Sequence, residues 1–561
     1  MINKIKLKFG SGSNSNNLEI NTTPITIIVG PNNSGKSKLI REIYKWCTTS
    51  AGLGTYPDQN KILENIEFTA LDKEYSKKAL SKRIKKTIPN KGFNDSYIIG
   101  DNEDIHVSED YYLQVLLRPN DLLTDFIPYF LKKETLFLGG EGRMSLVTEQ
   151  NAGDLQSTPQ NNLRVLFDDF QKRKEVRRII FDAFKKYFVI DPTELGTLKI
   201  RLSDLEPESE VQELGIHPEA VQFHAKAKDI KKTGDGIKSF TGIITQLIAG
   251  DPSIMLIDEP EAFLHPSLAY KLGKEIALSA TKVNKTVIAA THSASFLMGC
   301  IQSGVPVNII RLTYQDNNPT ARLLPSENLL KLMRNPLLRS TGTIEGLFYE
   351  SVVVTESDSD RAFYQEINER LLKYKPNSGI PNCLFINAQN KQTVHQIIRP
   401  LRELGIPAAT IVDIDILKDG GNNWTNFLKG GCFPEIHRRP LGETRSAINK
   451  KFEELNINMK RQDGIFAPGL PLEIFEAAEY LFNQLNEYGL FVVRKGELES
   501  WLKHLNVYGH SPKWLIDVFE KMGENPDSDE YLKPSDDDVW NFIETIGKWL
   551  LDPRRKGIPT A

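Results

Sequence analysis

Two short runs of this chain end in carboxylates placed for chemistry. Ser351-Val352-Val353-Val354-Thr355 leads into Glu356-Ser357-Asp358-Ser359-Asp360, and Thr410-Ile411-Val412 leads into Asp413-Ile414-Asp415. Each apolar run reads as a buried parallel strand that delivers acids to the edge of a sheet. Adjacent parallel strands end at the same edge, where open α/β folds place their ligands. A Glu from one strand and an Asp-x-Asp from the next could hold hard divalent cations, Mg²⁺ or Mn²⁺, which favour carboxylate oxygen and water. Such acids repel one another at neutral pH unless cations compensate. Two cations could clamp the attacking and leaving oxygens of a phosphodiester displacement. Glu356, Asp413 and Asp415 are the candidate catalytic acids, with Glu356 either a ligand or a general base. Asp360 joins them as a candidate ligand, as does Glu499 after a later apolar run, Leu490-Phe491-Val492-Val493. Asp358 and Asp419 read as acids that merely end strands beside solvent.

A second group lies far upstream. Pro24-Ile25-Thr26-Ile27-Ile28-Val29 is a β-branched strand that runs into Gly30-Pro31-Asn32-Asn33-Ser34-Gly35-Lys36-Ser37, followed by an amphipathic helix from Lys38 to Trp46. This is the G-x-x-x-x-G-K-S phosphate loop in its strand–loop–helix setting. Gly30 and Gly35 let the backbone curl so that the N–H groups of Asn32, Asn33 and Ser34 face phosphate oxygens. Lys36 reaches the β- and γ-phosphates of ATP, and the Ser37 hydroxyl binds Mg²⁺. Ser253-Ile254-Met255-Leu256-Ile257 ends in Asp258-Glu259. Asp258 fits a Mg²⁺-supporting acid, and Glu259 is placed to orient or deprotonate the attacking water. The small-residue loop Thr233-Gly234-Asp235-Gly236 precedes this strand, and Val287-Ile288-Ala289-Ala290-Thr291 is capped by His292.

In order and spacing these elements resemble the ABC-type ATPase head: Walker A, signature loop, Walker B with its Glu, D-loop around Leu264–Ser267, and switch histidine. The resemblance implies ATP sandwiched between two heads, the Thr233–Gly236 loop of one copy facing the Lys36 loop of the other. It therefore implies a homodimer or higher oligomer. No Q-loop stands out, since Gln150 and Arg143 read as structural or surface residues. The span from about 48 to 130 is an insertion, expected to be helical, with Lys73, Lys77, Lys78, Lys82, Arg83, Lys85, Lys86 and Lys91 at roughly helical spacing. A solvated helix face or a phosphate-tracking patch both account for them.

At 561 residues the chain exceeds a single core, and its 40% hydrophobic and 25% charged content is that of a soluble globular protein. A net charge of −3 excludes wholesale coating of nucleic acid but leaves room for a local basic groove. Four scattered cysteines without a C-x-x-C pair exclude a disulfide framework and a zinc knuckle. The N-terminal segment alternates like a strand and lacks a signal-peptide core, and no apolar run reaches membrane-spanning length. A cytoplasmic protein with no membrane partner is expected.

After about Ile344 a fresh β-α-β-α-β pattern begins. The Glu356-x-x-x-Asp360, the Asp413-x-Asp415 pair and the late Gly496-Glu497-Leu498-Glu499 resemble the Toprim domain. Behind an ABC-type head, it resembles the OLD (overcoming lysogenization defect) family of ATP-dependent nucleases. The expected fold is α/β: an ABC-type ATPase domain over 1–345, a doubly wound Toprim domain over 346–510, and a helical C-terminal extension over 511–561. The resemblance implies an ATP-regulated, metal-dependent endonuclease acting on DNA in antiphage defence, alone or beside a helicase or a retron reverse transcriptase with its RNA–DNA product. It also implies a late lysine near the scissile phosphate, for which Lys503, Lys513, Lys521 and Lys548 compete. The family has Gly after its first Glu, where this chain has Ser357. That departure keeps open an ATP-switched binding platform with an inactive Toprim domain, and carboxylate–metal chemistry equally admits an RNA-directed nuclease, against transfer RNA for example.

Overall fold

The computed structural model describes residues 2–12, 16–49, 61–83, 95–99, 104–140, 142–315, 318–336, 338 and 342–559. The chain divides into two compact units, Met1–Leu330 and Lys331–Ala561.

The first unit is organised by a six-stranded sheet. Its members are β1 (Ile25–Val29), β2 (Thr135–Leu138), β3 (Ile254–Asp258), β4 (Thr286–Ala290), β5 (Val307–Gln315) and β6 (Asn318–Leu324), in the order β6-β5-β1-β4-β3-β2. All pairings are parallel except the β5–β6 hairpin. Strand β1 is buried at every residue, as its β-branched sequence requires of a central parallel strand. The helix after it, α1 (Lys36–Thr48), buries Leu39, Ile40, Ile43, Trp46 and Cys47 at helical spacing. Burial pushes the Cys47 thiol up to about 12, which leaves it an inert packing group.

The insertion is mixed rather than helical. It holds the helices Lys73–Arg83 and Glu109–Leu117, and also strand Leu63–Phe68, which pairs with the N-terminal strand Ile2–Leu7. Lys73 and Lys77 lie on a solvated helix face, while Lys85, Lys86 and Lys91 fall outside the described residues.

A parallel four-stranded sheet forms the centre of the second unit. Strands β7 (Ser351–Thr355), β8 (Cys383–Asn387), β9 (Ala408–Asp413) and β10 (Leu490–Val493) run in the order β8-β7-β9-β10. Helices α2 (Asp358–Tyr374) and α3 (Val394–Glu403) make the first two crossovers. Between β9 and β10 the chain makes a much longer excursion, with α4 (Glu435–Glu454) and α5 (Leu472–Asn486) joined by an irregular loop. The last helices, α6 (Lys513–Met522) and α7 (Asp538–Leu551), are part of this unit's core. Trp514, Val518, Trp540, Ile543 and Ile546 pack with Val353, Phe363 and Ile411 in one buried cluster.

Buried Arg402 ties α3 to β9 and α7. Its guanidinium donates to the carbonyls of Ala408 and Gly431 and stacks over Trp549 with 5.0 Å to the ring centroid.

Because Trp540 is buried to 2% exposure, Trp540→Ala should destabilise the second unit by about 3–5 kcal/mol, the usual toll of a large aromatic deletion. Urea unfolding followed by tryptophan fluorescence measures it. A loss below about 1 kcal/mol would show that α7 is not a core element.

Candidate functional sites

In the first unit the phosphate loop is a backbone device. Gly30 and Gly35 have φ of +146° and +94°, values that L side chains rarely adopt. A Cβ on Gly30 would also stand 2.0 Å from the Leu312 carbonyl, and one on Gly35 would stand 2.6 Å from the Ile62 side chain. Asn33 adds a further left-handed residue at +62°, and Asn32 and Ser34 complete the turn. Gly35 caps α1, so the positive end of that helix opens into the loop. Lys36 is buried and folds back to donate to the carbonyls of Gly30 (2.8 Å) and Pro31 (2.6 Å). Burial lowers its pKa to about 8, against the pull of Glu259, Asp258 and Glu261.

The acids arrive from the end of β3, which lies beyond β4 from β1 in the sheet. Ser37 donates its hydroxyl to Asp258 at 2.9 Å, which joins the two groups read as Mg²⁺-supporting. Glu259 turns out of β3 at a φ of +55°, with its N–H on the Ala290 carbonyl. Its carboxylate lies 3.9 Å from His292 Nε2. Burial lowers the His292 pKa, and Lys36 lowers it further, against the pull of Glu259 and Asp258. The Thr233–Gly236 loop makes its own contacts elsewhere. Thr233 donates to the Ile230 carbonyl at 2.6 Å, Gly234 caps the helix Asp235–Ala249, and a Cβ on Gly236 would stand 2.6 Å from the Phe263 carbonyl.

Arg143 lies beside this site in a structural role, and burial excludes the surface reading. It is 1% exposed, donates to the backbone carbonyl of Glu259, and feels the charges of Glu261, Glu259 and Asp258. Gln150 serves instead as an acceptor for the Leu163 N–H.

In the second unit the parallel register brings the strand ends level. Val354 of β7 pairs with Thr410 of β9, so Glu356 and Asp413 emerge side by side. The Glu356 carboxylate accepts the Asp413 N–H at 2.9 Å, and Asp415 follows in the 3₁₀ turn Ile414–Lys418. One oxygen each of Glu356, Asp413 and Asp415 lies within 4.8 Å of the others. Burial, followed by the charge of Asp413, raises the pKa of Glu356. Burial raises that of Asp413 against the pull of Lys460. The Asp415 Oδ1 atom is buried without a hydrogen-bond partner. An acceptor left open beside two other carboxylates fits a hard divalent cation.

Other expected ligands are placed differently. Asp360 uses one oxygen to accept the Ser357 N–H (2.9 Å), while the Ser357 hydroxyl accepts the Asp360 N–H (3.2 Å), a capping box that starts α2. The serine therefore does local work at a φ of −129°, a conformation that requires no glycine. Glu499 gathers with Glu497 and His510 in a second group of possible ligands, and it accepts the Ser511 N–H at 2.9 Å. Asp358 faces solvent and pairs with Arg361 at 2.7 Å.

None of the four lysines considered for the phosphate role meets the acids through its ion pairs. Lys503 pairs with Asp463 and Lys548 with Glu544. The ammonium at the acids is that of Lys460, 2.7 Å from Asp413, 3.3 Å from Glu497 and 3.9 Å from Asp415. Lys391 adds a second, 2.9 Å from Asp415. Burial opposes the charge of Lys460, yet Asp413, Asp415 and Glu497 hold its pKa above that of an ordinary lysine.

Comparison with known proteins matches the two units separately. Residues 144–298 match the family model described as "AAA domain, putative AbiEii toxin, Type IV TA system". Residues 347–415 match "Overcoming lysogenization defect protein-like, TOPRIM domain". No curated protein matches the chain. Among solved structures it is similar to an SMC head bound to the C-terminal winged-helix domain of ScpA, at 15% identity over 59% of this chain and 99% of that one, with a TM-score of 0.32. It is also similar to the SMC head domain of Thermotoga maritima, at 13% identity over 58% and 98%, with a TM-score of 0.29. The two domain types imply use of a nucleotide and of a divalent metal, and among the described residues no helix is long and apolar enough to cross a membrane. An AAA-type ATPase domain followed by an OLD-like TOPRIM domain on one chain matches the arrangement of an OLD-family ATPase–Toprim fusion.

Proposed function

We propose that this chain is an ATP-regulated, divalent-metal-dependent nuclease whose target is DNA. The observation that carries the reading is the convergence of Glu356, Asp413 and Asp415, with the open Asp415 Oδ1, at one sheet edge. A bound Mg²⁺ or Mn²⁺ would supply Lewis-acid activation of the scissile phosphate. Around it the chain's own groups divide the work. Asp413 and Asp415 hold the cation, Glu356 accepts the proton of the attacking water or joins the ligands, and Lys460 presents positive charge to the phosphate.

In the first unit, the loop amides and Lys36 bind the nucleotide phosphates, and Ser37 with Asp258 orients Mg²⁺. Glu259 takes the water proton, with His292 beside it. The Thr233–Gly236 loop, by its likeness to a signature loop, faces the nucleotide of a second copy. The family likeness supports a role in antiphage defence, with a helicase or retron reverse transcriptase as candidate partners.

Three measurements test this reading. Lys36→Ala should abolish nucleotide binding. Glu259→Gln should retain binding, slow turnover by about 100-fold or more, as loss of a general base does, and trap an ATP-bound dimer visible by light scattering. A variant that turns over ATP normally would overturn the role of Glu259, and a strictly monomeric one the sandwich.

Asp413→Ala and Asp415→Ala should eliminate cleavage and leave ATP hydrolysis near normal. Plasmid DNA and total RNA are assayed in parallel with Mg²⁺ or Mn²⁺. RNA cleavage without DNA cleavage would reassign the substrate. Cleavage that survives loss of both aspartates would sink the nuclease assignment.

The third is a pH dependence. Glu356 and Asp413 have raised pKa values in the folded chain, so the unfolded chain releases these protons first. Their contribution to stability therefore falls as pH rises from the ordinary values, 3.8 for Asp413 and 4.5 for Glu356, to about 7 and about 8. A cation relieves that repulsion, so Mn²⁺ should raise the melting temperature more at pH 8.5 than at pH 5.5. Equal shifts at the two pH values would separate these acids from metal binding.

A further inference from the structure

Glu261 is a largely buried acid that stands beside the hydrolytic groups of the first unit and takes no part in their chemistry. It lies two residues beyond Glu259, in a turn closed by the N–H groups of Ala262 on the Glu259 carbonyl (3.0 Å) and of Leu264 on the Glu261 carbonyl (2.9 Å). Glu259 and Phe263 both take left-handed backbone here, with φ of +55° and +70°, a strain that only a fixed turn sustains. Burial raises the pKa of Glu261, against backbone N–H groups that favour its charged form. Its Oε2 atom is buried without a hydrogen-bond partner. An acid kept in this condition is costly, and the bond made by its other oxygen is what it contributes.

That oxygen, Oε1, accepts the N–H of His292 at 2.8 Å. On either side of His292 the backbone is anchored elsewhere. The Thr291 N–H meets the Ile28 carbonyl of the neighbouring strand β1 at 3.1 Å, and the Ser293 N–H meets the Thr291 hydroxyl at 3.0 Å. Ser293 then caps the helix Ala294–Gln302. Between these anchors the course of His292 is set by the Glu261 carboxylate, and its ring comes to lie 3.9 Å from Glu259. Both members of the Glu259–His292 contact thus hang from one turn. Glu259 is tied directly, through its own N–H on the Ala290 carbonyl at 2.8 Å, and His292 is tied through Glu261.

We propose that Glu261 is a positioning residue for ATP hydrolysis, whose bond to the His292 backbone sets the His292 ring against the Glu259 carboxylate. The inference rests on the roles given above to Glu259 and His292. Glu261 acts through His292 alone, so its worth to the reaction vanishes when the imidazole is absent.

A double-variant cycle on the full-length protein tests this. Phosphate release gives kcat and KM, and the fluorescence of a methylanthraniloyl-labelled ATP gives nucleotide affinity. Glu261→Ala should lower kcat by about 10- to 100-fold, the scale of a catalytic group displaced by an ångström, and leave affinity within about twofold. His292→Ala should cost a similar factor. The double variant should lose no more than about twofold beyond His292→Ala, because Glu261 then has nothing to position. Glu261→Gln, which keeps an acceptor oxygen, should recover most of kcat. Glu261→Leu replaces the alanine variant if thermal melting shows the latter misfolded. Losses that multiply in the double variant would overturn the proposal, as would normal turnover without the Glu261 carboxylate. A fall in affinity that matches the fall in kcat would overturn it too, since that is the mark of a merely structural acid. Normal turnover in His292→Ala would overturn the role of His292 itself, and this proposal with it.

Discussion

Carboxylates sharing a buried pocket repel, and much of the second unit is arranged around that repulsion. Parallel pairing of β7 with β9 leaves the chain no choice but to bring Glu356 and Asp413 level, since the register is set by buried valines and alanines further back. The unit tolerates this through hydrogen bonds and fixed cations. The Asp413 amide meets Glu356, Lys460 meets Asp413 and Glu497, and Lys391 meets Asp415. What remains uncompensated is a single buried oxygen on Asp415 and two carboxyls shifted toward their neutral forms. A folded pocket in this condition has affinity for positive charge before any substrate arrives.

The two units solve a related problem with opposite materials. Around the nucleotide loop the backbone provides the positive groups, through amides at the start of α1 and two glycines that bend where other residues clash. In the Toprim centre the positive groups are side chains carried in from distant segments. Amide cradles suit an anion such as a phosphate, which demands many donors on a concave surface. Lysines on clamped loops suit a cluster of acids, because one ammonium can serve two carboxylates at once.

Strand-borne chemistry was legible in the sequence, and loop-borne chemistry was not. The glycine spacing of Gly30 and Gly35 and the acids at the ends of β3, β7 and β9 follow apolar runs, so each local pattern identifies both the element and the edge it reaches. Lys460 lies within Met459-Lys460-Arg461, a string without periodicity, and its approach to the acids depends on the close packing of its backbone against Gly496. Arg143 follows a glycine-rich turn that gives no sign of the inward course of its side chain, and only burial against Glu259 reveals it. Ser357 misleads for a different reason. A motif comparison treats it as a missing glycine, whereas locally it is an N-cap that needs no left-handed backbone. The final helices look like an appendage because their apolar faces are visible in sequence but their partner is not, and that partner is the sheet itself.

Placement of α6 and α7 in the core carries a consequence for the birth of the protein. Synthesis proceeds from the N-terminus, and domains fold as units when their parts have emerged. Every acid of the Glu356 group is translated well before Trp514 and Trp540, yet the sheet that aligns these acids is not sealed until those tryptophans arrive. In the nascent chain the first unit can therefore complete its fold before the core of the second is closed. The acids of that centre therefore take their final alignment later than the strands that carry them are made.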